Sequence, residues 1–111
     1  MYKRQGLRLP ERGDTGHSWH LFAPLLALDQ LALSRAEFIQ QMRASEIGVG
    51  VHYPAMHLFT YYRGQGWKEG DFPNAERIGR ETVTLPLFPA MDDADVDRVC
   101  ETVAAVLHKA T

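Results

Sequence analysis

Apolar positions along this chain alternate in three short stretches and recur at helical spacing in two others, with glycine and proline marking the breaks. The first alternating stretch is HSWHLFAPLL, His17 to Leu26. Trp19, Leu21 and Ala23 alternate there with His20, Phe22 and Pro24, which predicts a strand covered on both faces, with Pro24 where the ladder needs no donor. Ser34-Arg35-Ala36-Glu37 has capping-box spacing and starts a helix predicted to run to about Ser45. Phe38, Ile39 and Met42 form its apolar stripe, and Arg35, Gln40, Gln41 and Arg43 are expected on the solvent side. Ile47 to Tyr53 reads as a second strand ended by Pro54. Met56 to Tyr62 reads as a helical turn or two, leading into a loop with Gly64, Gly66, Gly70 and Trp67. A helix is predicted from Pro73-Asn74 to about Glu81, then a third strand from Thr82 to Phe88, whose Pro86 places it at an edge or ends its ladder. Asp92 caps the last helix, with Asp93 and Asp95 set against the macrodipole and a buried stripe of Val96, Val99, Cys100, Val103, Val106 and Leu107.

This order predicts an α/β chain, a small α+β domain in which helices cover a sheet of about three strands. Residues 1–16, broken by Gly6, Pro10, Gly13 and Gly16, are expected to be irregular, and the ordered domain to span 17–111. The opening MYKRQ is out of keeping with the rest of the chain and resembles a translated scar at the cut end of an assembled sequence; residues 1–6 are read as an artefact outside the fold.

Twelve Lys and Arg against fourteen Asp and Glu leave a formal charge of −2, without the basic footprint of a nucleic-acid partner. No run approaches the roughly 20 apolar residues of a membrane helix, and the N-terminus lacks a signal peptide's apolar centre, so a cytoplasmic location is expected. The lone Cys100 forms no internal disulfide and is expected to be a buried, inert thiol.

Few residue patterns carry chemistry. His17-x-x-His20 and His52-x4-His57 lack a supporting cysteine cluster or His-Glu-x-x-His helix, so no metal site is assigned. No serine has a nucleophile-elbow setting, and Gly64-Gln65-Gly66 lacks the lysine and hydroxyl of a phosphate loop. The run Asp92, Asp93, Asp95, Asp97 fans around a helix axis rather than converging on an ion. What stands out is GVGVHYPAMHLFTYY, Gly48 to Tyr62, where a strand end delivers imidazole and phenol groups to the rim of a sheet. On spacing alone, packing is the leading reading: His52 and His57 as satisfied structural histidines, Tyr61 and Tyr62 against Phe59.

The blocks HSWHLF, SRAEFIQQM, IGVGVHYPAMHLFTYY, DFPNAERI and TLPLFPAMDDADVDRV, in that order, resemble the C-terminal domain of the DegT/DnrJ/StrS family of pyridoxal-phosphate sugar aminotransferases. The resemblance runs from about Gly16 to Leu107. It implies the small C-terminal domain of a fold-type-I aminotransferase that moves an amino group from glutamate or a similar donor to a keto-sugar nucleotide, as a homodimer with pyridoxal 5'-phosphate as cofactor. The Schiff-base lysine is expected in an absent large domain, so no catalytic or cofactor-binding residue is assigned here and the chain alone is expected to be inactive. By the same resemblance His52 is the leading candidate for a substrate contact, followed by Tyr53, His57 and Tyr61. Two alternatives stay open: a free-standing binding module derived from this domain, and a family dehydratase that uses the same cofactor without the lysine.

Overall fold

Residues 6–111 are described by the structure, a computed structural model. The expected Ser34 cap is made in full: the Glu37 N–H donates to the Ser34 hydroxyl at 3.2 Å, and the Ser34 N–H donates to the Glu37 carboxylate. It starts α1, Arg35–Ala44, which buries Phe38 and Met42 completely. Past its end, the Ile47 N–H returns to the Met42 carbonyl and the Glu46 N–H to the Arg43 carbonyl, the paired bonds of a Schellman motif. Glu46 takes the left-handed position, φ 61°, usually given to glycine.

The last helix, here α4, spans Asp93–Lys109 and begins with a second box between Asp92 and Asp95. Val99, Val103, Val106 and Leu107 join Phe38, Met42 and Ile47 of the α1 region in one apolar cluster. That cluster lies against Leu26, Val83 and Leu85 of the sheet. Two members of the expected α4 stripe fall outside it: Val96 is 45% exposed and Cys100 is an exposed thiol, so the expectation of a buried cysteine is corrected. Both border an open apolar groove of about 1040 Å³ along α4, walled also by Trp19, Phe22, Leu87 and Met91.

The sheet is an antiparallel layer with little regular strand. Two-residue strands β1, Leu7–Arg8, and β2, Leu25–Leu26, pair in register Leu7 to Leu26. Single bridges then join Leu25 to Thr82, Phe22 to Leu85 and Gly50 to Thr84. Residues 82–85 are therefore the inner segment, bonded to Pro24 and Phe22 on one side and to Gly50 on the other, all four buried. Pro86 closes this ladder. Pro24, lacking an N–H, contributes only its carbonyl, to the Val83 N–H.

Three expectations need correction. His17–Leu26 is not one strand. Its first residues leave the ladder after an Asp14 turn, and His17, Trp19 and Phe22 pack in tilted ring contacts, His17 to Trp19 at 4.2 Å. Among the described residues, the backbone of Ile47–Tyr53 pairs with the layer at Gly50 alone, because two glycines and a following proline favour no longer ladder on this outer segment. The segment 1–16, expected to be irregular, contains β1, since Leu7 gains core burial and the Gly6 carbonyl accepts from the Ala27 N–H at 2.9 Å. Residues 1–5 of the proposed artefact lie outside the described residues.

Between the outer segment and the inner one run a 3₁₀ turn at Met56–Leu58, the short α2, Thr60–Arg63, and α3, Pro73–Glu81. Proline opens α3 at a position where no helix donor is lost. Its C-terminus is tied down by Arg35, which donates to the carbonyls of Gly79 and Thr82. Arg35 is thus half-buried rather than on the solvent side. A cation there complements the helix's negative end, and burial lowers its pKa from the ordinary arginine value.

Candidate functional site

The outer segment ends at His52, whose ring lies over Gly50. A Cβ at Gly50 would stand 2.9 Å from His52 Cε1, so glycine is what makes room for the imidazole. Nδ1 of His52 shares a hydrogen bond with the buried Thr84 hydroxyl at 2.8 Å. Because a hydroxyl both gives and accepts, this contact holds the ring in place with either tautomer. Nε2 then remains as a donor or an acceptor for something else. Thr84 comes from the inner segment, so the sheet itself positions the imidazole. The His52 and Tyr53 rings meet edge to face at 4.9 Å, and Tyr53 is 70% exposed.

His57 has a different environment. It is 8% exposed, and its Nε2 lies 2.8 Å from Glu76 Oε1, itself on a residue only 5% exposed. The same oxygen accepts from the N–H groups of Gly70 at 2.8 Å and Phe72 at 3.4 Å. His57, chiefly, and then the two backbone donors hold the Glu76 carboxyl below the usual carboxylate range, against the opposing effect of burial. An ionised carboxylate only accepts, so His57 Nε2 carries the proton of this pair. The two histidines therefore differ in what their ring nitrogens meet: His52 faces outward from a sheet anchor, and His57 is engaged inside.

Around them the surface is aromatic. Tyr61, 71% exposed, packs edge to face on Tyr62, and Trp67 sits 5.4 Å from Phe72, which in turn meets His57 at 4.9 Å. Helix α3 lies directly behind the rim, for a Cβ on Gly79 would come within 2.6 Å of the Ala55 nitrogen. Of the four residues named from the sequence, His52 and Tyr53 are brought together, Tyr61 stands on the exposed surface of α2, and His57 is internal. Thr84 and Glu76 were missed. Thr84 reads as an ordinary alternating strand residue and Glu76 as a helix first-turn acid; only their long-range partners distinguish them.

Among the described residues no three His, Cys, Asp or Glu side chains gather where a metal ion would sit, and no helix is long and apolar enough to cross a membrane. The groove along α4 is lined by no residue of the 48–62 segment, so the large apolar concavity and the imidazole rim are separate features.

Comparison with known proteins bears on the family and the fold. The model of the DegT/DnrJ/EryC1/StrS aminotransferase family matches residues 2–104. The chain belongs to that family. Spore coat polysaccharide biosynthesis protein SpsC of Bacillus subtilis is 39% identical over 108 residues, 95% of this chain and 28% of SpsC. The Methanocaldococcus jannaschii protein MJ1066 is also 39% identical, over 94 residues, 84% of this chain and 24% of that one. Among solved structures, DesV of S. venezuelae superposes with a TM-score of 0.83 at 29% identity, covering 98% of this chain and 28% of DesV. The Streptococcus pneumoniae protein Spr1654 in its PLP form gives 0.80 at 27% identity, covering 94% and 27%. The chain thus spans about a quarter of the length of the family members it matches.

Proposed function

We propose that this chain is the small C-terminal domain of a pyridoxal-phosphate enzyme that passes an amino group from glutamate or a similar donor to a keto-sugar nucleotide. Family membership supports the reaction class, the role of SpsC in polysaccharide synthesis supports a sugar substrate, and the PLP and PMP forms of Spr1654 support the cofactor. The intact enzyme is a cytoplasmic homodimer in this reading.

No cofactor-binding residue is assigned among the described residues. Lys68 is exposed on the glycine-rich loop and Lys109 is exposed in the last turn of α4. In this reading the lysine that bonds pyridoxal phosphate, which serves as electron sink when bound, belongs to the part of the enzyme outside this chain, and the chain alone is inactive. The groove along α4 is the face we assign to contact with that part, since Leu87, Phe88 and Val96 leave large apolar surface uncovered there and beside it.

What this domain contributes is a substrate contact. The observation that carries it is His52, fixed by Thr84 and Gly50 from behind with its second nitrogen free of protein partners among the described residues. Tyr53 and Tyr61 extend the contact with phenol groups suited to sugar hydroxyls or a diphosphate. His57 contributes from inside by holding the rim.

The test is His52→Ala in the full-length enzyme. We expect kcat/KM for the keto-sugar nucleotide to fall about tenfold or more, the loss of one substrate hydrogen bond, with the cofactor's Schiff-base absorbance unchanged. Unaltered kinetics would return His52 to a packing role.

A further inference from the structure

One buried oxygen joins the 3₁₀ turn to the glycine-rich loop and the start of α3, with His57 standing 19 residues from Glu76 and Gly70 six. Glu76 Oε1 accepts from His57 of the 3₁₀ turn, from Gly70 of the glycine-rich loop and from Phe72 at the start of its own helix. Glu76 and Gly79 are three residues apart and so share one face of α3. Gly79 meets the Pro54–Ala55 backbone directly, while Glu76 reaches the same rim through His57. The loop's other polar ties run back to α2 or within itself: the Gly64, Gln65 and Gly66 N–H groups donate to the Thr60, Tyr62 and Arg63 carbonyls. Its Asp71 carboxylate accepts from the Lys68 N–H within the loop, and the Trp67 N–H reaches the Tyr62 carbonyl at 3.3 Å. Gly66 and Gly70 both stand at strongly positive φ, 100° and 94°, so the loop depends on conformations that cost a glycine more entropy to hold than other residues.

We propose that Glu76 is the positioning residue of the rim: its carboxylate latches the 64–72 loop, and with it the Trp67 and Phe72 rings, against the turn that follows His52 and Tyr53. It acts through the Gly70 N–H on one side and His57 on the other. A carboxylate suits this role because it offers several lone pairs at one point, and hydrogen bonds to an ionised acceptor are roughly twice as strong as neutral ones. Burial keeps water from competing. His57 carries the proton toward Glu76, so its ring completes the latch and meets Phe72 edge to face as a spacer between turn and loop. That the latched rings border a substrate cleft rests on the function proposed above; the latch itself does not.

The experiment is backbone amide exchange, read by NMR on the 111-residue chain, for Glu76→Ala and Glu76→Gln. The Gln variant is isosteric and serves if the Ala variant does not fold. With the latch removed in Glu76→Ala, the Gly70 and Phe72 amides should exchange at least about tenfold faster relative to Val103 and Val106 of α4, and Glu76→Gln, whose amide oxygen still accepts but without the charge, should speed them by a smaller factor. In a Trp19→Phe background, which leaves Trp67 as the sole indole, acrylamide should quench the fluorescence more strongly in the same variants. If Gly70 and Phe72 instead change only in step with α4, and Trp67 quenching is unaltered, Glu76 merely stabilises the whole fold and the proposal falls. No sugar or cofactor enters either measurement, so failure of the substrate reading would leave this result standing.

Discussion

The two halves of this molecule are held by different physics. On one side α1 and α4 press Phe38, Met42, Val99, Val103 and Val106 onto the inner sheet segment, a core made almost wholly of apolar contact. On the other, from Gly48 to Phe72, large apolar groups such as Tyr53, Met56, Phe59, Tyr61 and Trp67 lie open, and the polar ties are few: His52 to Thr84, His57 to Glu76, Glu76 to Gly70. Non-directional burial fills the first half and tolerates small errors of placement. Hydrogen bonds are directional, so the second half can hold an imidazole at a set angle but loses it if one partner goes. The division separates what keeps the domain folded from what presents its surface.

The comparison breaks most sharply at Phe38. Phe38→Ala should cost about 3–5 kcal/mol, the loss of a fully buried ring plus the cavity left behind, seen as a lower urea midpoint. Gly79→Ala comes next and probes the boundary between the halves. In an open helix this change would gain up to about 1 kcal/mol, but here the new methyl meets the Ala55 backbone, and we expect a net loss of about 1–3 kcal/mol with displaced amide signals at Pro54-flanking residues.

Acid separates the regions more finely. The Glu76 carboxyl is held below its ordinary value in the folded state, so the unfolded chain binds its proton first as pH falls. Its stabilisation is complete well above the unfolded glutamate value of about 4.3 and is lost as pH drops through the folded value. Urea midpoints measured between neutral pH and about pH 3 should therefore fall less steeply for Glu76→Gln than for the unaltered chain. Glu37 keeps a like dependence in both proteins, since the Ser34 N–H, and then the Ser34 hydroxyl, lowers its pKa too. The smallest change sharpens the contrast from the core side: Glu46→Gly should stabilise by about 0.5–1 kcal/mol, because glycine takes the left-handed turn after α1 without steric cost. A raised melting temperature with unchanged rim signals is the expected result.

What this sequence determined by itself is its local grammar. Ser34 with Glu37, Asp92 ahead of α4 and Pro73 ahead of α3 each act on donors within four residues, so their helices start where the letters place them. The ordered blocks likewise sufficed to show the family before any contact was known. Tertiary structure alone decided the rest. Whether Leu7 joins a sheet, which segment lies innermost, and why Ile47–Tyr53 pairs only at Gly50 depend on partners tens of residues away. Cys100 and Arg35 were misplaced for the same reason: helical spacing gives a side chain's direction around the axis, while burial depends on what stands opposite. His52 and His57, alike in the sequence, part company because one meets a hydroxyl at the sheet and the other a carboxylate beneath a loop. A hydrogen bond needs both of its ends, and here the second end was folded in from far along the chain.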